Sequence, residues 1–482
     1  MTHHPLHHHR TLTTPQQHAA VGALVGSAVG DALGAPFEFQ PGGRYRAAFP
    51  QPVLGGAGEM LGGGGFGWRP GEFTDDTQMA LALAQSLVQH QGVHPADLFA
   101  RWKVWAADAP DVGVITRAAL RHTAVEGAAA QAHQALGRSA GNGALMRVTP
   151  IALAYATAGA DATQQCMEAA VLQAAVTHHD PAAGWGAAIA AEVVRRTILG
   201  ADPIEELQEV VGLVPADHRE RFATMLAADW QPGGRDEPGN GSVWTCLAHA
   251  VWAVRHHASF HDAVTAAIDL GDDTDTVACV AGALAGARCG IQAIPSRFTT
   301  YVHGRLRTPQ GEHTFHNAQL QALARSLVGL GNGAEPPAES PAGPQEVLPG
   351  VFAADLSAAT EAARHRNYAV LSLCRVGDAF RDVPVRREVY LVDQAGPLDN
   401  PALGAAVADA VATMQAWRAE GRDVLVHCHG GRSRTALLLQ AYAMATQDMS
   451  ADQAHQWLTA TWSRYDPWNP VFREFLHQHW PA

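Results

Sequence analysis

From Gly331 to Gln345 the chain reads Gly-Asn-Gly-Ala-Glu-Pro-Pro-Ala-Glu-Ser-Pro-Ala-Gly-Pro-Gln. No helix or central strand can run through it, because each proline lacks an N–H and fixes its φ. A chain of 482 residues is also too long for one ordinary core. The run therefore reads as a linker, with independent cores at 17–330 and 346–482 and a His-rich tail at 1–16.

The two sides follow different periodicities. Before the linker, Ala80–Val88, Ala183–Ile198 and Val277–Ala287 carry apolar residues at helical spacing, and few runs read as strands. The expectation is an all-helical domain. After it, the runs 347–352, 368–373 and 389–392 read as short strands, separated or followed by helical patterns at 356–366, 401–419, 435–447 and 451–464. Alternation of this kind predicts a small α/β domain on a mostly parallel sheet.

Composition excludes several classes. No run of 18 apolar residues occurs, so no membrane-spanning segment is expected. The net charge of −13 and the lack of a Lys/Arg run argue against strong nucleic-acid binding. Six cysteines show no zinc or disulfide spacing, which fits a reduced cytoplasm. The start, with His3, His4, His7, His8 and His9, has no signal-peptide core and reads as a disordered tail that could capture metal only adventitiously.

Residues 427–435 are His427-Cys428-His429-Gly430-Gly431-Arg432-Ser433-Arg434-Thr435, between the apolar run Val424-Leu425-Val426 and the helical run Ala436–Leu439. A strand–loop–helix turn of this kind aims successive N–H groups, at the positive end of a helix, toward one tetrahedral anion. The same field favours the thiolate, the attacking form of a cysteine. Arg434 can grip a phosphate through two N–H bonds. Cys428 would attack phosphorus, with Thr435 easing the later departure of sulfur and His427 orienting the loop from behind. His429, Gly430, Gly431, Arg432 and Ser433 would line the phosphate. The reaction needs an acid from a separate loop. Asp393 is preferred over Asp399 because it follows the expected strand 389–392, whose end would fix it; a solvated loop carboxylate is the alternative.

The first domain repeats one pattern twice. Phe73-Thr74-Asp75-Asp76-Thr77 and Asp272-Asp273-Thr274-Asp275-Thr276 each precede an apolar helical run. Helix capping explains one Asp or Thr at such a place but not several adjacent carboxylates. Crowded carboxylates suit a bound cation, and all-oxygen ligands favour Mg²⁺ or Mn²⁺. The segments Gly30–Glu38, Gly141–Arg147 and Thr177–Pro181 add acids, Gly-bracketed amides suited to a diphosphate, and imidazoles beside a turn. A lone histidine such as His178 is more often structural.

These five elements, in this order over roughly 17–325, resemble the ADP-ribosylglycohydrolase family, which includes the dinitrogenase reductase-activating glycohydrolases. The segment after 346 resembles the dual-specificity/tyrosine phosphatases through 427–435, the acid loop, Leu348–Phe352 and Asn469–Phe472. The first resemblance implies an all-helical domain with two Mg²⁺ or Mn²⁺ ions held by Thr74, Asp75, Asp76, Asp273, Asp275 and Thr276. Glu38 would stand near the metals, and Asn142, Gly143 and His178 would contact ADP-ribose. Asp272 departs from the family, where many relatives carry glycine. The second resemblance implies a metal-free phosphatase with Cys428 as nucleophile, Arg434 as clamp and Asp393 as acid.

The expected protein is a bifunctional hydrolase. Its expected partners are an ADP-ribosylated protein or small ADP-ribose conjugate, and a phosphorylated protein or small phosphate ester. Two alternatives stay open: a non-catalytic ADP-ribose-binding module joined to an active phosphatase, or two sites acting on phosphorylated ADP-ribose derivatives.

Overall fold

Gly22, Gly26, Gly30 and Gly34 fall on one face of the Thr14–Gly34 helix, because four residues make little more than a turn. The facing helix is Thr274–Cys289, with Ala278, Gly282 and Gly286 opposite them. A Cβ on Gly30 would lie 2.0 Å from the Ala278 carbonyl oxygen, and one on Gly26 would lie 2.4 Å from that of Gly282. The two backbones therefore touch along their length. That approach sets Gly34 against the backbone of Asp275, so segments some 240 residues apart in sequence meet at one point. Thr274 Oγ1 donates to the Gly34 carbonyl at 2.9 Å.

The computed structural model describes residues 10–56, 58–234, 237–331 and 343–480; the histidines before residue 10 and most of the 331–345 run lie outside them. Helix begins at Thr14 rather than at the expected boundary of 17, with Leu12 already buried and Thr13 capped by Gln16. The stretch Thr14–Phe37 is long and apolar enough to cross a membrane, yet its most apolar window is wholly buried within the helical core. It reads as a core helix.

The chain divides into two compact units. The first, which includes Glu59–Ile294, is helical. Against the all-helical expectation it also carries two small antiparallel pairs. One is β1 (Gln40–Pro41) with β2 (Gly271–Asp272); the other is the hairpin β3 (His303–Thr308) and β4 (Gly311–His316). Only alternate residues of β3 are buried, and mostly polar residues fill β4, so neither shows a hydrophobic run.

The second unit comprises the chain from 343 onward with Pro52–Gly58 and Pro295–Thr300. Its five strands are β5 (Gln345–Leu348), β6 (Val351–Asp355), β7 (Ala369–Ser372), β8 (Arg386–Glu388) and β9 (Val424–Cys428), in the order β5-β6-β9-β7-β8. β5 and β6 pair antiparallel and the remaining pairs are parallel. β9 is central and buried throughout, as both faces of a parallel sheet demand. Val424 and Val426 pack toward the helices Leu403–Ala419, Ser433–Gln447 and Ala451–Thr461; Leu425 packs on the other face with Val370 and Phe352. One expected strand is absent: β8 ends at Glu388, and 389–392 make no ladder.

Candidate active sites

The Asp75–His90 helix starts against Asp31. Asp31 is fully buried and accepts from the Thr74 amide (2.9 Å), the Thr77 amide (3.0 Å) and the Thr77 hydroxyl (2.5 Å). It thus takes orphan donors of that helix from outside the helix. The first turn then holds Thr74, Asp75 and Asp76 beside the start of the Thr274–Cys289 helix. Thr74 Oγ1 stands 3.3 Å from an Asp76 oxygen and 3.4 Å from one of Asp275, and Thr276 Oγ1 is 3.4 Å from Asp76.

Carboxylate oxygens of Asp31, Asp76 and Asp275 all lie within 4.8 Å of one another, as do those of Glu38, Asp273 and Asp275. Asp275 belongs to both groups. Burial is the main force raising the carboxyl pKa values here: it lifts Asp31 to about 6 against the lowering effect of its hydrogen bonds from Thr77 and Thr74. Joined by repulsion from neighbouring carboxylates, it lifts Glu38 to about 8 and Asp75, Asp76 and Asp275 well above the carboxylate range. Asp76 Oδ1 and Glu38 Oε2 are buried and have no hydrogen-bond partner among the described residues. Oxygen-only donors, clustered, desolvated and left with open lone pairs, fit hard divalent cations.

Asn142 Nδ2 donates to Asp273 at 2.9 Å, so this residue also fixes a member of the acidic cluster. His178 stands beside Gly143: a Cβ there would come 3.1 Å from the imidazole. Thr177 Oγ1, 2.8 Å from His178 Nδ1, also receives the Arg147 guanidinium, and Arg147 lies over Trp102. Burial, with Arg147 nearby, lowers the His178 pKa to about 3 and leaves the ring neutral.

Two neighbours escaped the reading of the sequence. Asn240 accepts from the Asp273 amide (3.1 Å) and donates to the Gly271 carbonyl (2.9 Å), which braces the turn before the second cluster. Asp111 is the foremost charge acting on both Glu38 and Asp75, and its own pKa is raised to about 6 by burial and Asp273. Asn240 lies in a Pro/Gly-flanked loop and Asp111 directly after Pro110, so neither has a helical neighbour pattern to single it out. Asp272, the expected departure from glycine, sits at φ 61°, in the left-handed region that glycine favours.

In the second unit, β9 delivers Cys428 buried at its end, and the Ser433–Gln447 helix begins five residues later. Gly431 has φ 60°, and a Cβ on it would meet the Ala354 carbonyl oxygen at 2.6 Å. Only glycine fits there. His427 pairs with Ser372 at 2.7 Å and faces Phe380; burial lowers its pKa to about 4, so it braces the loop as a neutral ring. The His429 carbonyl receives the Leu356 amide at 3.2 Å, while Arg464 bridges Asp355 (2.6 Å) and the Gly430 carbonyl (3.3 Å).

Arg434, in the helix's first turn, is almost buried and donates to the Leu391 carbonyl at 3.2 Å; its Nε lies 3.7 Å from Asp393. Thr435 Oγ1 and Ser433 Oγ are buried, with no hydrogen-bond partner among the described residues. Arg432 is exposed, 3.8 Å from Asp466. Asp399 accepts from the Gly396 amide at 2.8 Å and closes a turn, which leaves Asp393 beside the arginine.

A buried polyacid at two helix starts in one unit and a cysteine-headed phosphate loop in the other define a chain of two hydrolase domains. Residues 12–337 match the ADP-ribosylglycohydrolase family model, and the chain belongs to that family. Residues 400–477 match the catalytic domain of dual-specificity phosphatases, a span that takes in 427–435 but not Asp393. The ADP-ribosylarginine hydrolase Tri1 of Pseudomonas putida (strain GB-1) is 33% identical over 301 residues, 60% of this chain and 76% of that protein. The ADP-ribosyl-[dinitrogen reductase] glycohydrolase of Rhodospirillum rubrum is 32% identical over 292 residues, 59% of this chain and 90% of that protein. A solved ADP-ribosylglycohydrolase-related protein complex has 30% identity and a TM-score of 0.51, covering 66% of this chain and 99% of that one.

Proposed function

We propose that the helical unit hydrolyses ADP-ribose from arginine side chains and that the α/β unit hydrolyses phosphate monoesters through a cysteinyl-phosphate. The observation that carries the first reading is the sharing of Asp275 between two carboxylate groups, which suits two adjacent cations. Thr74, Asp75, Asp76, Asp273, Asp275 and Thr276 would hold Mg²⁺ or Mn²⁺, which would supply Lewis acidity to the reaction. Glu38 takes the proton of the attacking water. Asn142, Gly143 and neutral His178 hold the ADP-ribose. The bond from the anomeric carbon to the guanidine nitrogen breaks as water oxygen bonds to that carbon, and the proton that Glu38 takes from the water passes to the departing guanidine, which leaves as guanidinium. An arginine leaving group is supported by Asp111, an anion beside Glu38 suited to a guanidinium, and by the arginine specificity named in the Pseudomonas relative.

In the α/β unit Cys428 sulfur attacks phosphorus, Arg434 holds two phosphate oxygens and the loop amides hold the rest. Asp393 gives its proton to the departing oxygen. Water, deprotonated by the same Asp393, then displaces the thiolate, to which Thr435 Oγ1 donates. Six cysteines without disulfides support a reducing, cytoplasmic setting, which keeps such a thiol usable.

The test is release of ADP-ribose from arginine- and serine-ADP-ribosylated peptides with Mg²⁺ or Mn²⁺ against EDTA. Release from arginine, lost in Asp275→Ala and kept in Cys428→Ser, is expected. Tight binding of ADP-ribose without turnover of either conjugate would make the domain a reader instead.

A further inference from the structure

Asp393 lies on a stretch of chain without sheet support, because β8 ends five residues earlier at Glu388. Its position is nevertheless set from both sides. Asn400 Oδ1 accepts from the Val392 amide at 2.9 Å while its Nδ2 donates to the Val392 carbonyl at 2.8 Å. Asn469 Nδ2 donates to the Gln394 carbonyl at 2.9 Å, and its Oδ1 caps the Pro470–Gln478 helix through the Val471 amide at 3.0 Å. Both carboxamides are buried, Asn400 7% and Asn469 1% exposed, so either half of each clamp costs desolvation when unmade. Asp393 stays 22% exposed between them, 3.7 Å from the Arg434 guanidinium.

We propose that Asn400 and Asn469 are positioning residues for the phosphatase acid: they replace the missing ladder and hold Asp393 over the phosphate loop. The proposal rests on the reading of Asp393 as the acid. It follows that the acid loop of this domain is fixed before substrate arrives rather than folded over it. Proton donation matters most for poor leaving groups, so the two asparagines should affect phosphate esters unequally, according to the basicity of the alcohol released.

The experiment compares phenyl phosphate with 2,4-dinitrophenyl phosphate on the full chain, for Asp393→Asn, Asn400→Ala, Asn400→Asp and Asn469→Asp. Asn469→Asp keeps the helix cap and removes only the donor to Gln394; Asn400→Asp keeps the acceptor for Val392. Inorganic phosphate affinity and the thermal midpoint report whether the 427–435 loop remains intact. Asp393→Asn should slow phenyl phosphate by about 100-fold or more and dinitrophenyl phosphate far less. The asparagine variants should slow phenyl phosphate by about 10-fold, leave dinitrophenyl phosphate within about 2-fold, and add nothing in the Asp393→Asn background. Equal losses on both esters, or losses that add to that of Asp393→Asn, would overturn the positioning role. A flat Asp393→Asn response on both esters would instead overturn the acid assignment itself, and that single variant separates the two failures.

Discussion

A Cβ on Gly30 would lie 2.0 Å from the carbonyl oxygen of Ala278, so the first glycohydrolase helix and the helix carrying Asp275 are in backbone contact one turn below the acidic cluster. Gly30→Ala must separate them. Overpacking of this kind costs about 1–3 kcal/mol or more, and the separation moves Asp31 away from Thr74 and Thr77. The expected outcome is a lower thermal midpoint together with weaker Mn²⁺ binding. Calorimetry and Mn²⁺ electron paramagnetic resonance on the same sample check both.

Asp31 is a cap as well as a neighbour of the cluster. Asp31→Ala removes the acceptor of three hydrogen bonds, whereas Asp31→Asn retains one oxygen for the Thr74 and Thr77 amides. Loss of groups that orient metal ligands typically weakens metal affinity by about 10–100-fold. Asp31→Ala should fall in that range and Asp31→Asn should recover part of it, as measured by Mn²⁺ titration.

The acidic cluster makes metal-free stability depend on pH. The folded pKa values of Asp31 and Asp111, about 6, and of Glu38, about 8, lie above their ordinary values. Between the two, the folded chain holds more protons than the unfolded one, so stability falls as pH rises through that window. In EDTA the melting temperature of the helical unit should drop from pH 5 to pH 8. Saturating Mg²⁺ or Mn²⁺ should reverse the drop at pH 8, and a flat profile in EDTA would contradict the assignment.

Asp272 occupies φ 61° and can be relieved. Asp272→Gly should stabilise the protein by up to about 1 kcal/mol, offset in part by the greater freedom of glycine in the unfolded chain. Asp272→Ala keeps the strain and should give no gain. Denaturant unfolding of the three proteins side by side decides it.

Arg464 neutralises Asp355, a carboxylate only 1% exposed, and holds the Gly430 carbonyl. Breaking a buried pair from one side costs about 3–5 kcal/mol, reduced here because Arg464 is partly exposed. Arg464→Ala should destabilise the α/β unit and lower its affinity for inorganic phosphate, read by chemical unfolding and by product inhibition.

Much of this architecture was legible because it is local. Periodicity separates the helical unit from the α/β unit, and the residue types from His427 to Thr435 match a cysteine-headed phosphate loop. The hairpin β3–β4 was not legible, since its residues are mostly polar and only part of one face is buried. The expected strand 389–392 has a Val-Tyr-Leu-Val composition that suits a strand, yet pairing with the neighbouring strand ends where the Val389 amide donates to the Ser372 carbonyl at 2.8 Å. What holds the stretch around Asp393 is an asparagine seven residues on and another that caps the last helix, and no local pattern announces such a pair.

The sequence by itself determined which chemistry each unit can hold, because the carboxylates, the thiol and the phosphate-loop glycines are set by residue type and short spacing. Tertiary structure alone decided which of those groups meet. Asp275 joins Asp76 and Glu38 only because glycines let two helix backbones touch, and Asp31 and Asp111 act there only because burial removes the water that would screen them. Contacts across long sequence separations, and the low dielectric they create, exist only in the packed chain.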